Sequence, residues 1–177
     1  GMDLVAVDEN GELYCPHGVT DTPQYAPGAC TDPVNGVFRP QLLSLTGKVR
    51  PAVSSAKEGR DGLYATDESA LTFWEPDIND KTPTLICDLS ATFYAAAVRI
   101  FWRENGLDYS GGVLPGPIGW LLEGLDGGEW ITLADNRNPA EEKNIDYKVF
   151  PIKKCSSVRL TITDHPRGIH PGIIDFA

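Results

Sequence analysis

Residues 64 to 77 read "YATDESALTFWEPD" and set Asp67, Glu68, Ser69 and Thr72 directly ahead of an aromatic pair, Phe73 and Trp74. Carboxylates and hydroxyls so closely spaced are hard oxygen donors. They could take part in acid–base catalysis, or help fill the six to eight oxygen positions around a calcium ion. A polar turn whose Asp and Ser satisfy neighbouring amides uses the same residues. A second concentration of chemistry lies in "WRENGLDYSGGVLPGPIGW", where Arg103, Asn105, Asp108 and Tyr109 follow Trp102. An aromatic ring can cover the apolar face of a sugar while Arg, Asn and Asp bond its hydroxyls. The segment is longer than an ordinary hairpin loop, and long loops in compact domains are often binding loops. Packing against a neighbouring domain is the other use such a loop can have.

Hydrolysis of a glycoside would need two carboxylates facing each other about 5 Å or about 6.5 to 9.5 Å apart across a cleft. Asp77, Asp80, Glu104, Asp108, Glu123, Asp126, Glu141 and Glu142 are instead scattered along the chain, as an acidic protein distributes charge to solvate its surface. No Gly-x-Ser-x-Gly elbow, Walker loop or His-Glu-x-x-His helix occurs. An enzyme is therefore not expected. Of the three histidines, His165 and His170 each precede proline in "DHPRGIHPG", which favours extended, exposed chain. His165 and Arg167 are candidate contacts for sugar hydroxyls.

Four cysteines divide by context. Cys15 and Cys30 bracket a turn-rich loop, where a disulfide would constrain the unfolded chain by roughly 3 kcal/mol. Zinc held by this pair and His17 lacks the usual Cys-x-x-Cys spacing. Cys87 and Cys155 sit in apolar runs and read as small buried groups.

The chain has 177 residues, with 15 Lys and Arg against 25 Asp and Glu, a net charge of -10. A nucleic-acid backbone would be repelled, and the sequence shows no basic run to offset this. No apolar stretch approaches the roughly 18 residues of a membrane span, so membrane insertion is not expected. Gly1-Met2 reads as a cleavage scar, which leads us to expect a fragment of a longer protein.

These residues must be positioned mostly by strands. "LVAV" and "ELYC" flank Asp8-Glu9-Asn10-Gly11, a hairpin signal. Residues 16 to 40 are rich in proline, glycine and polar side chains, and put a boundary near residue 45. Residues 1–45 are thus a hairpin and linker segment, and 46–177 a separate module. Beyond the boundary come "VRPAVSSA", "TLICDLS", "AAAVRIFWRE", "GWLLEGL", "EWITLAD", "YKVFPI", "SSVRLTIT" and "GIIDFA", most bounded by Gly, Pro, Asp or Asn. Val158, Leu160 and Ile162 alternate with Arg159, Thr161 and Thr163, giving one buried and one wet face. The pattern predicts an all-β, antiparallel β-sandwich of jelly-roll type.

"ATDESALTFW", "TLICDLS", "AVRIFW", "WLLEGLDGGEWITLAD" and "CSSVRLTIT" occur in the order seen in discoidin, or coagulation-factor type C, modules of galactose-binding-like fold. Over residues 46 to 177 the chain resembles that family. Asp67, Thr72 and Trp74 match its first turn and strand, Asp88-Leu89 a strand end, Asp126-Gly127 with Trp130 a hairpin, and Val158-Arg159 a later strand. The resemblance implies that Trp74 and Trp130 pack in the core. It also implies a structural calcium ion held by Asp67, Thr72, the Ala65 carbonyl and Asp175, although Glu68 stands where the family usually has glycine. More narrowly, "DENGELYC", "DTPQYAPG", "LLSLTGKV" and "ENGLDYSGGVLPGP" are similar to the C-terminal region of bacterial family forty-three type glycoside hydrolases, whose catalytic propeller lies upstream. That likeness implies a non-catalytic carbohydrate-binding accessory module of a polysaccharide-degrading enzyme that is secreted, periplasmic or at the cell surface. Its partners would be a glycan and the upstream catalytic domain. The alternative is a structural domain that braces the propeller without binding sugar.

Overall fold

The computed structural model describes residues 6–7, 13–14, 44–103, 117–140, 144–166 and 169–177. Contacts divide the chain into two units, residues 1–43 and 44–177. In the first, β1 (Ala6–Val7) pairs antiparallel with β2 (Leu13–Tyr14), as the flanking runs led us to expect. Cys15, Cys30 and His17 lie outside the described residues.

The second unit is an antiparallel β-sandwich. Its strands are β3 (Ala52–Val53), β4 (Thr84–Trp102), β5 (Gly119–Asp126), β6 (Glu129–Asn136), β7 (Ile145–Asp164) and β8 (Ile173–Phe176). Pairing runs β3-β4-β7-β5-β6, and β8 joins the far end of β4. A short 3-10 turn, Gly62–Ala65, is capped by Asp61, whose Oδ1 accepts the Leu63 N–H at 2.8 Å.

The two long strands build both layers. The first half of β4 pairs with β3 and the last half of β7, which in turn carries β5. The second half of β4 pairs with the first half of β7 and with β8. The sequence breaks each long strand into two runs, "TLICDLS" with "AAAVRIFWRE" and "YKVFPI" with "SSVRLTIT". The structure joins them through register shifts between Asp88 and Phe93 and between Ala95 and Ala97. The first shift is a bulge rather than a turn. Ser90 adopts φ 61°, and its N–H is held by Asp88 Oδ1 at 2.9 Å, so the strand bends and continues. The β5–β6 hairpin is tight because Gly127 and Gly128, at φ 58° and 93°, supply the left-handed backbone of a two-residue turn.

The core fills from both layers with Trp74, Leu85, Val98, Ile100, Trp102, Trp120, Leu122, Leu160, Ile162, Ile173 and Phe176. Val158, Leu160 and Ile162 are buried as their alternation predicts, and so are Cys87 and Cys155. Burial pushes the Cys87 thiol up to about 12, so it stays neutral and unreactive. Trp130 differs from the expectation. It is only half-buried, and its ring lies beneath the Arg159 guanidinium at 4.2 Å, where that arginine also binds Glu123.

Two buried indoles carry polar edges that need partners. The Nε1–H groups of Trp102 and Trp120 both donate to Asp146 Oδ2, at 2.8 and 2.9 Å. Asp146→Ala would leave both donors unpaired and should cost about 2 to 4 kcal/mol in denaturant unfolding, whereas Asp146→Asn, which keeps an acceptor oxygen, should lose less than half of that.

Candidate functional site

Trp74 ends on the core, and the chain then turns outward through Glu75. The backbone here is fixed on two sides: Trp74 exchanges N–H and carbonyl bonds with Ile173, and Lys57 N–H donates to the Glu75 carbonyl at 2.9 Å. Glu75 is the one acidic residue among the described ones that is fully buried, at 3% exposure. Its two oxygens are taken by different cations. Lys57 Nζ lies 2.9 Å from Oε1 and Arg103 Nη1 lies 2.6 Å from Oε2. An ionised carboxylate removed from water costs several kcal/mol unless paired, and these contacts offset that cost.

Arg103 leaves the end of β4 just after the buried Trp102, and its own N–H donates to the Gly172 carbonyl at 2.8 Å. A side chain at 172 could not be accommodated without displacement, because an added Cβ would stand 3.2 Å from Arg103 Cβ and 3.3 Å from the Trp74 carbonyl oxygen. Phe73 is the platform of the group. The guanidinium carbons of Arg60 and Arg103 stand 3.9 and 4.0 Å from its ring centroid. One ring therefore carries two guanidinium groups at cation–π distance. Lys57, Arg60, Phe73, Glu75 and Arg103 thus form one cluster.

Beside it, a cleft of about 180 Å³ is lined by Pro76, Asp77, Asp80, Pro83, His165 and His170, among others. Asp80 ties its rim together by accepting the Ser54 and Ser55 hydroxyls at 2.5 Å each and the Thr82 N–H at 3.1 Å. Partial burial acts to raise the Asp80 pKa, but these hydrogen bonds outweigh it and hold the carboxyl below its ordinary 3.8.

The predicted sugar contacts separate. Arg103 is in the cluster, with its side chain 29% exposed. Trp102 does not belong in the set: at 3% exposure, with its N–H on Asp146, its ring is core and has no face to offer a sugar. His165 is half-buried on the cleft, its Nδ1 lying 3.2 Å from the Pro166 carbonyl oxygen. Asn105, Asp108, Tyr109 and Arg167 lie outside the described residues. Lys57, Arg60, Phe73 and Glu75 were not singled out from the sequence, although a Glu set between Trp and Pro, directly after the apolar pair, was a signal available to it.

The expected calcium ligands also separate. Asp67 and Thr72 meet: Thr72 Oγ1 donates to Asp67 Oδ2 at 2.7 Å, and the Ser69 N–H donates to Oδ1 at 3.0 Å. Ala65 is fully buried and packs in the core. Asp175, however, is bound to Arg99 at 2.7 Å, and the β8 residue facing Trp74 is the apolar Ile173. Among the described residues no three His, Cys, Asp or Glu side chains converge as metal ligands. The one carboxylate and one hydroxyl that do meet, already bonded to each other, would supply only two of the six to eight oxygens of a calcium shell. The left-handed backbone expected of a glycine is nevertheless present, since Glu68 itself adopts φ 62°.

The same architecture recurs in solved structures. Chitosan-binding module 2 of a chitosanase/glucanase from Paenibacillus sp. IK-5, solved with chitotriose, matches at 17% identity and a TM-score of 0.62 over 76% of this chain and 98% of its own. A Clostridium perfringens module, CpGH89CBM32-4, solved with GlcNAc-α-1,4-galactose, matches at 16% identity and a TM-score of 0.63 over 78% and 94%. The family 32 carbohydrate-binding module of C. perfringens NanJ, solved with galactose, matches at 16% and 0.60 over 73% and 91%. At such identities the likeness establishes the antiparallel β-sandwich fold alone. No protein-family model and no curated protein sequence matches the chain.

Two outcomes follow from this geometry. Because the 67–72 loop closes on itself, chelator should leave the melting midpoint unchanged, while Asp67→Ala should cost about 1 kcal/mol with or without calcium. A calcium-dependent rise in melting temperature would contradict the first. For Asp80, the folded pKa lies below the unfolded one, so its contribution is complete above about pH 4 and is lost as pH falls through the lower folded value. Melting curves from pH 7 to 2 should show Asp80→Asn less stable at pH 7 and less sensitive to acid below pH 4 than the unsubstituted chain.

Proposed function

We propose that this chain is a non-catalytic carbohydrate-binding module, with Arg103 and its cluster as the contact surface. The observation that carries this reading is a buried Glu75 that holds Lys57 and Arg103 in fixed positions at one edge of the fold. Preset donors bind sugar hydroxyls with little entropy left to lose. The likeness to modules solved with chitotriose, with GlcNAc-α-1,4-galactose and with galactose supports it at the level of fold. In the same reading, His165 on the neighbouring cleft and Asn105, Asp108, Tyr109 and Arg167 complete the surface. We further propose that the module serves a multidomain glycoside hydrolase of family forty-three type outside the cytoplasm, with the catalytic domain upstream. Support for that comes only from the sequence resemblance.

One observation favours a second reading, a domain that braces its neighbour. Tyr94, Tyr147, Val149 and Ile152 are 60 to 72% exposed on the two long strands, an apolar stripe that a partner surface would bury. Titration of galactose-, xylose- and arabinose-containing oligosaccharides, neutral and acidic, followed by calorimetry or chemical-shift perturbation, separates the two. A shallow surface should bind in the millimolar range, about -4 kcal/mol. Arg103→Ala should remove binding while a thermal melt confirms folding. Absence of binding to every glycan, with the upstream domain stabilised by this one, would instead establish the bracing role.

A further inference from the structure

The proposed sugar surface has a charge and a shape that narrow its ligand. Two cations pair with one buried carboxylate and a third stacks on the neighbouring Phe73 ring, so Lys57, Arg60, Arg103 and Glu75 together carry a net +2 within a chain of net charge -10. The group is compact. The guanidinium carbons of Arg60 and Arg103, each within 4.0 Å of the Phe73 centroid, are at most about 8 Å apart. Lys57 and Arg103 bind opposite oxygens of the same carboxylate. Glu75 needs only one positive partner to be neutralised and has two, and among the described residues Arg60 has no carboxylate within ion-pair distance. Lys57 is 61% exposed along its side chain, so an ammonium held by Glu75 stays open to a ligand as well.

Aromatic stacking, the usual means of holding a neutral pyranose, is closed to the cluster. Phe73 is already engaged by two guanidinium groups within 4.0 Å of its centroid, and Trp74, Trp102 and Trp120 are buried to 3% exposure or less. The described part of the surface therefore offers N–H donors and positive charge without a free ring. An anionic oxygen pair matches that chemistry, because charge-assisted N–H···O⁻ bonds are about twice as strong as neutral ones. Repulsion from the remaining acidic surface is screened beyond about 8 to 10 Å at physiological ionic strength, a length comparable to the cluster itself, so the nearest charges dominate the bound state.

We propose that this surface selects glycans bearing an anionic group, a uronic-acid carboxylate or a sugar sulfate, over neutral ones, with Arg60 as the specificity-determining residue. The inference rests on the carbohydrate-binding reading. The test is calorimetric titration of the whole chain at low and physiological salt with galactotetraose, tetragalacturonate and a sulfated galactan tetrasaccharide. One or both acidic ligands should bind at least tenfold more tightly than the neutral one, the pair distinguishing carboxylate from sulfate, and the preference should shrink as salt is added. Arg60→Gln, confirmed folded by its thermal melt, should reduce acidic-ligand affinity about five- to tenfold and neutral-ligand affinity by a clearly smaller factor, so that the preference narrows. Should Arg60→Gln fail to fold, Lys57→Gln read on the same ligands should narrow the preference in the same way. Equal or tighter binding of galactotetraose overturns the anionic preference and leaves carbohydrate binding standing. Failure of all three ligands, at millimolar concentration, overturns both.

Discussion

A single carboxylate oxygen, Asp146 Oδ2, receives the indole N–H groups of Trp102 and Trp120, the last described ring of β4 and the second residue of β5. These strands are neighbours of β7 on opposite sides, and Asp146 sits near the start of β7. The shared bond therefore fastens together the point where the chain leaves one layer and the point where it re-enters the other. Two large apolar rings can be buried there only because their polar edges are satisfied. The backbone that leaves this anchor emerges as Arg103, so the direction of that side chain is decided by the core beneath it.

Arg103 is constrained again from the outside. Its N–H is bound to Gly172, its stem lies against the bare Cα of that glycine, its guanidinium covers Phe73, and one nitrogen binds Glu75. Glu75 follows Trp74 directly, so the acid is drawn under the surface by the burial of its neighbour. A lone carboxylate in that position would be strongly destabilising. The arrangement is stable because three segments, around Lys57, Glu75 and Arg103, meet there with compensating charge. Stability of the edge and geometry of the binding surface thus come from the same ion pairs.

The fold was legible where a local signal carries the whole instruction. Alternation in "SSVRLTIT" assigns Val158, Leu160 and Ile162 inward, and Asp126-Gly127, matched to a hairpin by resemblance, lies at a two-residue turn whose Gly127 and Gly128 have the left-handed backbone such turns favour. Local signals failed where continuity depends on a bulge: Ser90 looks like punctuation, yet Asp88 holds it within one bent strand. The site was less legible for a related reason. Trp102 beside a polar, glycine-rich segment has the composition of a binding aromatic, and only the partner 44 residues away, Asp146, shows it to be core. Glu75 in "FWEPD" reads as a surface acid until Lys57 and Arg103 are brought to it from 18 and 28 residues away. Phe73 is equally uninformative alone, since nothing in its neighbourhood along the chain predicts that both Arg60 and Arg103 will close on its ring. Asp67 with Thr72 was readable because five residues of chain suffice to bring them together, and Asp175 was not, because its partner Arg99 lies on another strand.

The charge balance of the whole chain and that of its binding edge point in opposite directions, and the difference is one of length scale. A net charge of -10 describes the protein to a molecule arriving from solution and opposes any acidic polymer at long range. Within a few ångströms the description changes, because several of the acids elsewhere are paired with cations of their own: Asp175 with Arg99, Asp61 with Arg50, Asp135 with Arg137, Glu123 with Arg159. At the cluster the ratio is reversed, with more cations than the buried acid can use. Composition averages over this arrangement and cannot show it. What a ligand meets at the edge is set by which charges remain after the fold has paired the others.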